Sequence, residues 1–492
     1  MRDYSPKRRT ALVFTGSGTA GAYHAGVLKA LDETGVKIDL VVGSGVGTVA
    51  AAFAAVAGGS KLYGPGGFWD ELGWSSLYRV RPALRAALLL LLVSAFVLLL
   101  PLALGLVAGL VSPLLIAVDL AVPGLVAGLL MRLGAVSQAL RVPYLAALVA
   151  PIFLLSLLGT AAAVRLRLRK RRRAGEALEF VLDAEAARGR LLGSLAEVTR
   201  SAVSTSGLPD ETELGRRYVA LLQENLGQPG FRELILRTAD LDTGRPLPFV
   251  ALADAAQKTF AAARARGTRT RAEGLRDAVD LRLGEGATLL FDAVFAGLLP
   301  PLVSGVRRVV FPRGGLHAGE VHRLIDASLG GGCGLAEAMQ AGAEQIVVVA
   351  AVPEEPTLPA RRRGPRALVD GVLALVERQA LERDLRTAER LNRLIETLGH
   401  HGDDGARAWE DPISGRVHRE VGLYVIRPRR RGLLPLDFDG AEDPSSEVVE
   451  TPAELAEQGY RDAYREFLEP VLGAAPESRP APRPDETQAI QL

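Results

Sequence analysis

Three kinds of apolar pattern follow one another along the chain. Near the N-terminus, short apolar runs alternate with glycine turns and helix-spaced stretches. Ala11–Phe14 reads as a buried strand, Ala22–Leu31 as a helix with Val27, Leu28 and Leu31 on one side, Ile38–Val42 as a second strand and Thr48–Val56 as an Ala-rich helix. The pattern then changes: from Ala86 to Met131 the only charged residue is Asp119. Ala86–Val107, Val111–Met131 and Val142–Val164 each approach the ~20 residues that span ~30 Å of hydrocarbon as a helix. A buried soluble helix would keep a polar stripe, and these keep none. Pro101, Pro123 and Pro151 fall inside them and predict kinks or breaks. Beyond residue 165 a soluble α/β pattern returns, and from Ala474 the chain is Pro-rich and polar, the composition of a disordered tail.

These shifts divide the chain into an N-terminal α/β part (1–83), a membrane insertion (84–164), a basic and helical connector (165–230), a C-terminal α/β part (231–473) and the tail (474–492). Arg79, Arg81 and Arg85 precede the apolar block, and Arg165, Arg167, Arg169, Lys170, Arg171, Arg172 and Arg173 follow it. Both flanks are therefore cytoplasmic by the positive-inside rule, so an even number of crossings is expected. The expectation is an integral inner-membrane protein whose soluble part faces the cytoplasm. Arg165–Arg173 also suits anionic phospholipid headgroups, at ~1 kcal/mol per basic residue near the surface. The polar, basic N-terminus predicts no cleavable signal peptide.

Composition narrows the chemistry. Among 492 residues, 58 Lys+Arg against 56 Asp+Glu leave a net charge of +2, which argues against a nucleic-acid partner. A single cysteine, Cys333, excludes an intramolecular disulfide and makes a Cys-based zinc site implausible. Sitting in a glycine turn with no base nearby in sequence, it reads as structural. His400 and His401 precede Gly402-Asp403-Asp404 without a standard ligand spacing and read as a solvated loop, so neither metal nor cofactor is expected. His24 shares helical spacing with Leu28 and reads as a core-edge residue, and Arg361–Leu398 as a surface helix.

Two glycine turns carry the candidate chemistry. The first is Thr15-Gly16-Ser17-Gly18-Thr19-Ala20-Gly21, between a strand and a helix, where backbone N–H groups converge on a point that suits an anion or an oxyanion. Gly16-x-Gly18-x-x-Gly21, with Asp39 downstream, also matches a dinucleotide fingerprint. The second turn is Gly43-Ser44-Gly45-Val46-Gly47, again between a strand and a helix. Glycines two before and two after a central residue are what a nucleophile elbow requires. The central residue here is Gly45. Ser44 is one position early, between Val42 and Val46, and no G-x-S-x-G occurs anywhere in the chain.

In combination these turns resemble the patatin-like phospholipase family. ALVFTGSGTAGAYHAGVLKAL is similar to its glycine-rich oxyanion loop and following helix, and DLVVGSGVGTVAAAFAA to its elbow strand and nucleophile helix. Leu236–Gly244 (LRTADLDTG), Phe295–Leu302 (FAGLLPPL) and Leu324–Val349 follow in the family's order, as do VGLYVIRP, LPLDF and GYRDA. The resemblance implies an α/β, three-layer sandwich, here with an inserted helical transmembrane region, and lipid-ester hydrolysis by a Ser–Asp dyad. It implies that Gly16, Ser17, Gly18 and Gly21 form the oxyanion loop, that Gly43 and Gly47 flank the elbow, that position 45 holds the nucleophile and that Asp326 is its partner.

This chain has glycine at position 45, Ala20 where the loop usually carries a basic residue, and Asp326-Ala327-Ser328 in place of a D-G-G or D-G-A turn. The departures fall on the chemistry rather than the scaffold. The leading expectation is therefore a catalytically impaired, membrane-anchored patatin-like protein with lipid as ligand. An active serine esterase using Ser44 and Asp326 and a dinucleotide-binding protein using Gly16–Gly21 stand as alternatives. For Asp326 alone, the reading opposed to catalysis is a turn aspartate capping the helix that starts near Gly334.

Overall fold

The computed structural model describes residues 4–18, 20–69, 77–80, 110–111, 182–199, 210–265, 277–301, 304–314, 317–329, 332–354, 365–401, 407–410, 417–429 and 451–473. The membrane insertion expected over 84–164, the basic run Arg165–Arg173 and the tail 474–492 lie outside these residues, except for Leu110 and Val111. Among the described residues no helix is long and apolar enough to cross a membrane. The chain divides into two compact units, one of Met1–Arg79 with Ala184–Leu492 and the other of Val80–Asp183. Both glycine turns belong to the first unit.

Nine strands of that unit form one sheet. They are β1 (Thr10–Thr15), β2 (Leu40–Ser44), β3 (Glu233–Asp240), β4 (Arg245–Ala251), β5 (Val279–Asp280), β6 (Arg307–Val310), β7 (Val321–Asp326), β8 (Gln345–Ala350) and β9 (Gly422–Ile426). The order β9-β8-β1-β2-β3-β4-β5 is parallel from β9 through β3, and β4 runs antiparallel to β3. β1, β2 and β8 are buried along their whole length, as a sheet covered by helices on both faces demands.

The helices around this sheet include α1 (Ala20–Glu33), α2 (Gly47–Ala54), α3 (Glu211–Asn225), α4 (Asp254–Ala265), α5 (Leu290–Leu298), α6 (Leu335–Gln340), α7 (Pro365–Leu398) and α8 (Pro452–Ala463). Alternate strand residues point to opposite faces. Val13, Val42, Ile235, Ile346 and Val348 join Phe260 of α4, Ala338 of α6 and Leu381 and Leu385 of α7 in one core. α1, α2 and α5 pack elsewhere against the sheet, and α8 packs on α1. The result is a mixed α/β sandwich around a central, largely parallel sheet, as expected from the strand–turn–helix pattern.

One feature of the sheet positions the site. β2 ends at Ser44, opposite Arg237 of β3. From Thr238 to Asp240 β3 pairs instead with the antiparallel β7, with Thr238 opposite Asp326. The last residue of β7 therefore lies at the place where β2 gives way to its turn.

Several sequence expectations need correction. Asp39 does not stand near the glycine loop: its carboxylate accepts the Thr10 N–H at 2.8 Å, and Thr10 begins β1 whereas the loop follows its end. An acid there is a strand length from the phosphate end of a dinucleotide, and the Gly16–Gly21 fingerprint loses its second half. Asp326 does not cap the helix after Gly334, which has no side-chain cap. The residues His400–His401 form a short strand, paired with Ala408 and Arg407, rather than a loop. His24 is wholly buried rather than at the edge of the core.

Candidate active site

The elbow exists in backbone geometry although its central side chain is missing. Gly45 adopts φ +61°, the left-handed region that L side chains rarely occupy. A Cβ on Gly43 would stand 2.5 Å from the Gly47 oxygen, and one on Gly47 would overlap the Phe14 carbonyl. Both flanking glycines are required by the closeness of β2, α2 and β1. Thr48 fastens the turn: its N–H donates to Gly45 O at 3.0 Å and its hydroxyl to the same oxygen at 2.8 Å.

Position 45 faces the carboxylate of Asp326. A Cβ built there would lie 2.7 and 2.9 Å from the two Asp326 oxygens and would overlap the Gly16 carbonyl oxygen. Gly45 and Asp326 thus face one another, with no room between them for a hydroxymethyl group at position 45. Ser44 is fully buried, and its Oγ has no hydrogen-bond partner among the described residues; neither has Asp326 Oδ2. The structure brings Gly45 to Asp326 and leaves Ser44 unbonded to it.

The oxyanion side is equally closed. In an elbow of this kind, the N–H of the residue after the nucleophile helps bind the oxyanion. Here that residue is Val46, and its N–H donates to Gly16 O at 2.9 Å. Gly16 (φ +137°) and Gly18 (φ +58°) make the loop turn back over the elbow. Gly21 admits the ring of Trp69, which a Cβ there would strike.

A residue that the sequence reading missed completes the site. Glu377, near the middle of α7, is buried, and Ser17 donates to it through both its hydroxyl and its backbone N–H. Ser328 links the two acids: its N–H donates to Asp326 Oδ1 at 2.7 Å and its hydroxyl to Glu377 Oε1 at 3.4 Å. The glycine loop therefore already holds a carboxyl group, supplied by the chain itself. Burial pushes the Glu377 carboxyl up to about 7, against the opposing hydrogen bonds from Ser17 and Ser328. Burial, and then the charge of Glu377, pushes Asp326 well above the usual carboxylate range. No spacing could have marked Glu377, because it lies 360 residues from Ser17 in a long charged helix. It is one of three acids, with Asp370 and Asp384, spaced seven residues apart along the packed side of that helix.

Surrounding groups fix the loop after Asp326. Arg237 at the end of the β2–β3 pairing donates to Glu337 at 2.8 Å and to Gly332 O at 2.6 Å, all buried. Asp384 of α7 accepts the Cys333 N–H at 2.8 Å. Cys333 is buried, and burial raises its thiol, which fits the structural reading. His24 lies behind the loop, its Nε2 3.1 Å from Thr15 O. Burial lowers it to about 4, so it is neutral at pH 7 and no proton donor to the site. A cavity of about 800 Å³ opens among α4, α6 and α7, lined by Thr259, Leu335, Met339, Asp384 and Leu391, and contains none of the elbow or loop residues.

With this geometry in place, comparison with known proteins is informative on one point. Residues 12–119 match the Patatin-like phospholipase family, a span that includes most of β1 and all of the glycine loop, α1, β2, the turn at Gly45 and α2. The patatin-like phospholipase resemblance read from the two glycine turns is thereby shown. Among solved structures the chain is similar to the crystal structure of VipD from Legionella pneumophila, at 11% identity and a TM-score of 0.32, over 94% of this chain and 67% of that one. No curated protein matches the chain.

Proposed function

We propose that this chain is a catalytically impaired patatin-like protein that binds lipid at a membrane rather than cleaving it. The observation that carries the reading is the space at Gly45: the position has no alcohol, and a Cβ there would stand 2.7 Å from the Asp326 carboxylate and overlap the Gly16 oxygen. Two further features support it. The Val46 N–H is engaged by Gly16, and the glycine loop holds Glu377. Without an alkoxide source, Asp326 can at most polarise a water, and residual sites of that kind give only ~10³–10⁴-fold over water.

The membrane part of the proposal rests on the apolar stretches between Ala86 and Val164 and on the basic run Arg165–Arg173. The ligand would be a membrane lipid, held in part by its anionic headgroup, and the soluble part would face the cytoplasm of the inner membrane. The test is ester hydrolysis and vesicle binding by full-length wild type, Ser44→Ala and Asp326→Asn in detergent and liposomes. The proposal expects binding to anionic vesicles, with hydrolysis that stays at the level of the Asp326→Asn protein. Wild-type turnover abolished by Ser44→Ala would instead establish an active serine esterase.

A further inference from the structure

A second cluster of functional side chains lies outside the closed elbow. His322 sits on β7, four residues before Asp326 and on the same buried face of the strand, so about 13 Å away at ~3.3 Å per residue. Its Nδ1 is 2.7 Å from Asp240 Oδ2, at the end of β3, and its Nε2 is 3.0 Å from Glu320 Oε2. The same Glu320 oxygen is 3.3 Å from Nδ1 of His317. The two imidazole rings lie 4.0 Å apart, and Phe311 packs edge-on against both. One ligand atom from each of Asp240, His317 and His322 can be chosen so that all lie within 4.8 Å of one another.

We infer that His317, His322 and Glu320 form a binding site for a divalent cation of the zinc class, with Asp240 as the residue that orients His322. Three arguments meet. Two imidazoles and a carboxylate are a ligand set that zinc accepts, with the fourth position left to water. Glu320 Oε2 lies 3.0 Å from His322 Nε2 and 3.3 Å from His317 Nδ1, so one carboxylate oxygen already faces a nitrogen of each imidazole. Asp240 accepts from the far ring nitrogen of His322, so Nε2, the nitrogen that faces Glu320, is the one presented to an ion, as with carboxylates behind metal-bound histidines. Asp240 is itself held by the Asp242 N–H at 2.9 Å and the Thr243 hydroxyl at 2.8 Å, so it is committed to orienting rather than ligating.

The local charge agrees with a cation. Asp240, Asp242 and Glu320 converge there, against Arg323, which is spent on Asp242 at 2.6 Å. Glu320 is largely exposed and His317 partly so, which gives an ion a way in. The rings stand closer than two imidazoles radiating from one ion, so binding would swing out His317, the more exposed of the two. Such an ion would tie the β6–β7 hairpin to the end of β3. It is independent of the lipid reading, since none of these residues touches the elbow. The His-x-x-Glu-x-His spacing from His317 to His322 was the available sequence signal.

The test is titration of the metal-stripped full-length protein with Zn²⁺ by calorimetry, and with Co²⁺ by visible absorption, at pH 7.5. The expected result is one equivalent bound, a tetrahedral Co²⁺ spectrum and a Tm that rises with Zn²⁺. His317→Ala and His322→Ala should abolish the spectrum, and Glu320→Gln should weaken binding. Asp240→Asn should weaken it by about 10–100-fold while keeping the tetrahedral spectrum. Circular dichroism of the partly exposed His317→Ala protein guards against loss of fold. Binding that survives in a folded His317→Ala/Glu320→Gln protein, or no binding by wild type, would overturn the assignment.

Discussion

Two atoms decide what the elbow can do: the Cβ that Gly45 lacks and the Oγ that Ser44 carries. Ser44 Oγ is buried without a partner among the described residues. Removing an unpartnered buried hydroxyl costs nothing in hydrogen bonding, so Ser44→Ala should leave stability within about 0.5 kcal/mol of wild type or raise it, as read by urea denaturation. A large loss would mean that the hydroxyl is engaged.

Gly45→Ser should behave in the opposite way. The left-handed backbone and the overlap with the Gly16 oxygen predict a loss of about 1–3 kcal/mol, and a change below about 0.5 kcal/mol would show that the gap between elbow and acid opens easily. The turn around Gly45 was legible because glycines two residues to either side of it are a strong local signal. The unavailability of Val46 N–H was not legible, since it depends on where Gly16 O turns in three dimensions.

At the scale of elements, α7 reaches over the glycine loop and inserts Glu377. Its titration has a definite sign. The carboxyl is raised to about 7 in the folded protein, against ~4.3 when unfolded, so the folded state holds more protons between those values. Stability from this group is full below about pH 4 and falls as pH rises to about 7. Glu377→Gln, which keeps an acceptor for Ser17, should therefore flatten the decline measured from about pH 5 to 7.5. Buried His24, lowered to about 4, acts in the other direction and loses stability as pH drops from about 6.5, so the effect of Glu377→Gln is read as its difference from wild type at each pH.

The α1–α8 pair depends on close approach. A Cβ on Gly26 would overlap the Ala456 oxygen, and one on Gly459 the Tyr23 oxygen. Gly26→Ala should cost at least about 1–3 kcal/mol by thermal melting, and a neutral result would mean that the helices can separate. The sequence marked α1 through its spacing, and the glycine of GYRDA through the family order. Their packing joins the N-terminal and C-terminal parts of the first unit and had no local signature.

For the whole molecule, the strand–turn–helix order predicted the sandwich because parallel strands buried on both faces must be apolar throughout. The replacement of β2 by β7 along one edge of β3 was not predictable, since it is a register relation: Arg237 opposite Ser44, then Thr238 opposite Asp326. That relation places Asp326 against the turn at Gly45, which no local motif could show. The membrane reading belongs to this scale too and depends on residues 84–164, which composition alone describes. It predicts that the full-length protein stays with the membrane fraction through alkaline carbonate washing, whereas a peripheral protein would be released.

The most direct measurement of the central claim is covalent labelling by a fluorophosphonate, which phosphonylates an activated serine hydroxyl and nothing inert. Full-length protein incubated with the reagent in detergent should keep its unmodified intact mass, because the elbow offers no activated oxygen and Ser44 lies sealed beside it. A stoichiometric adduct mapped by peptide mass to Ser44, and absent from Asp326→Asn, would contradict the account.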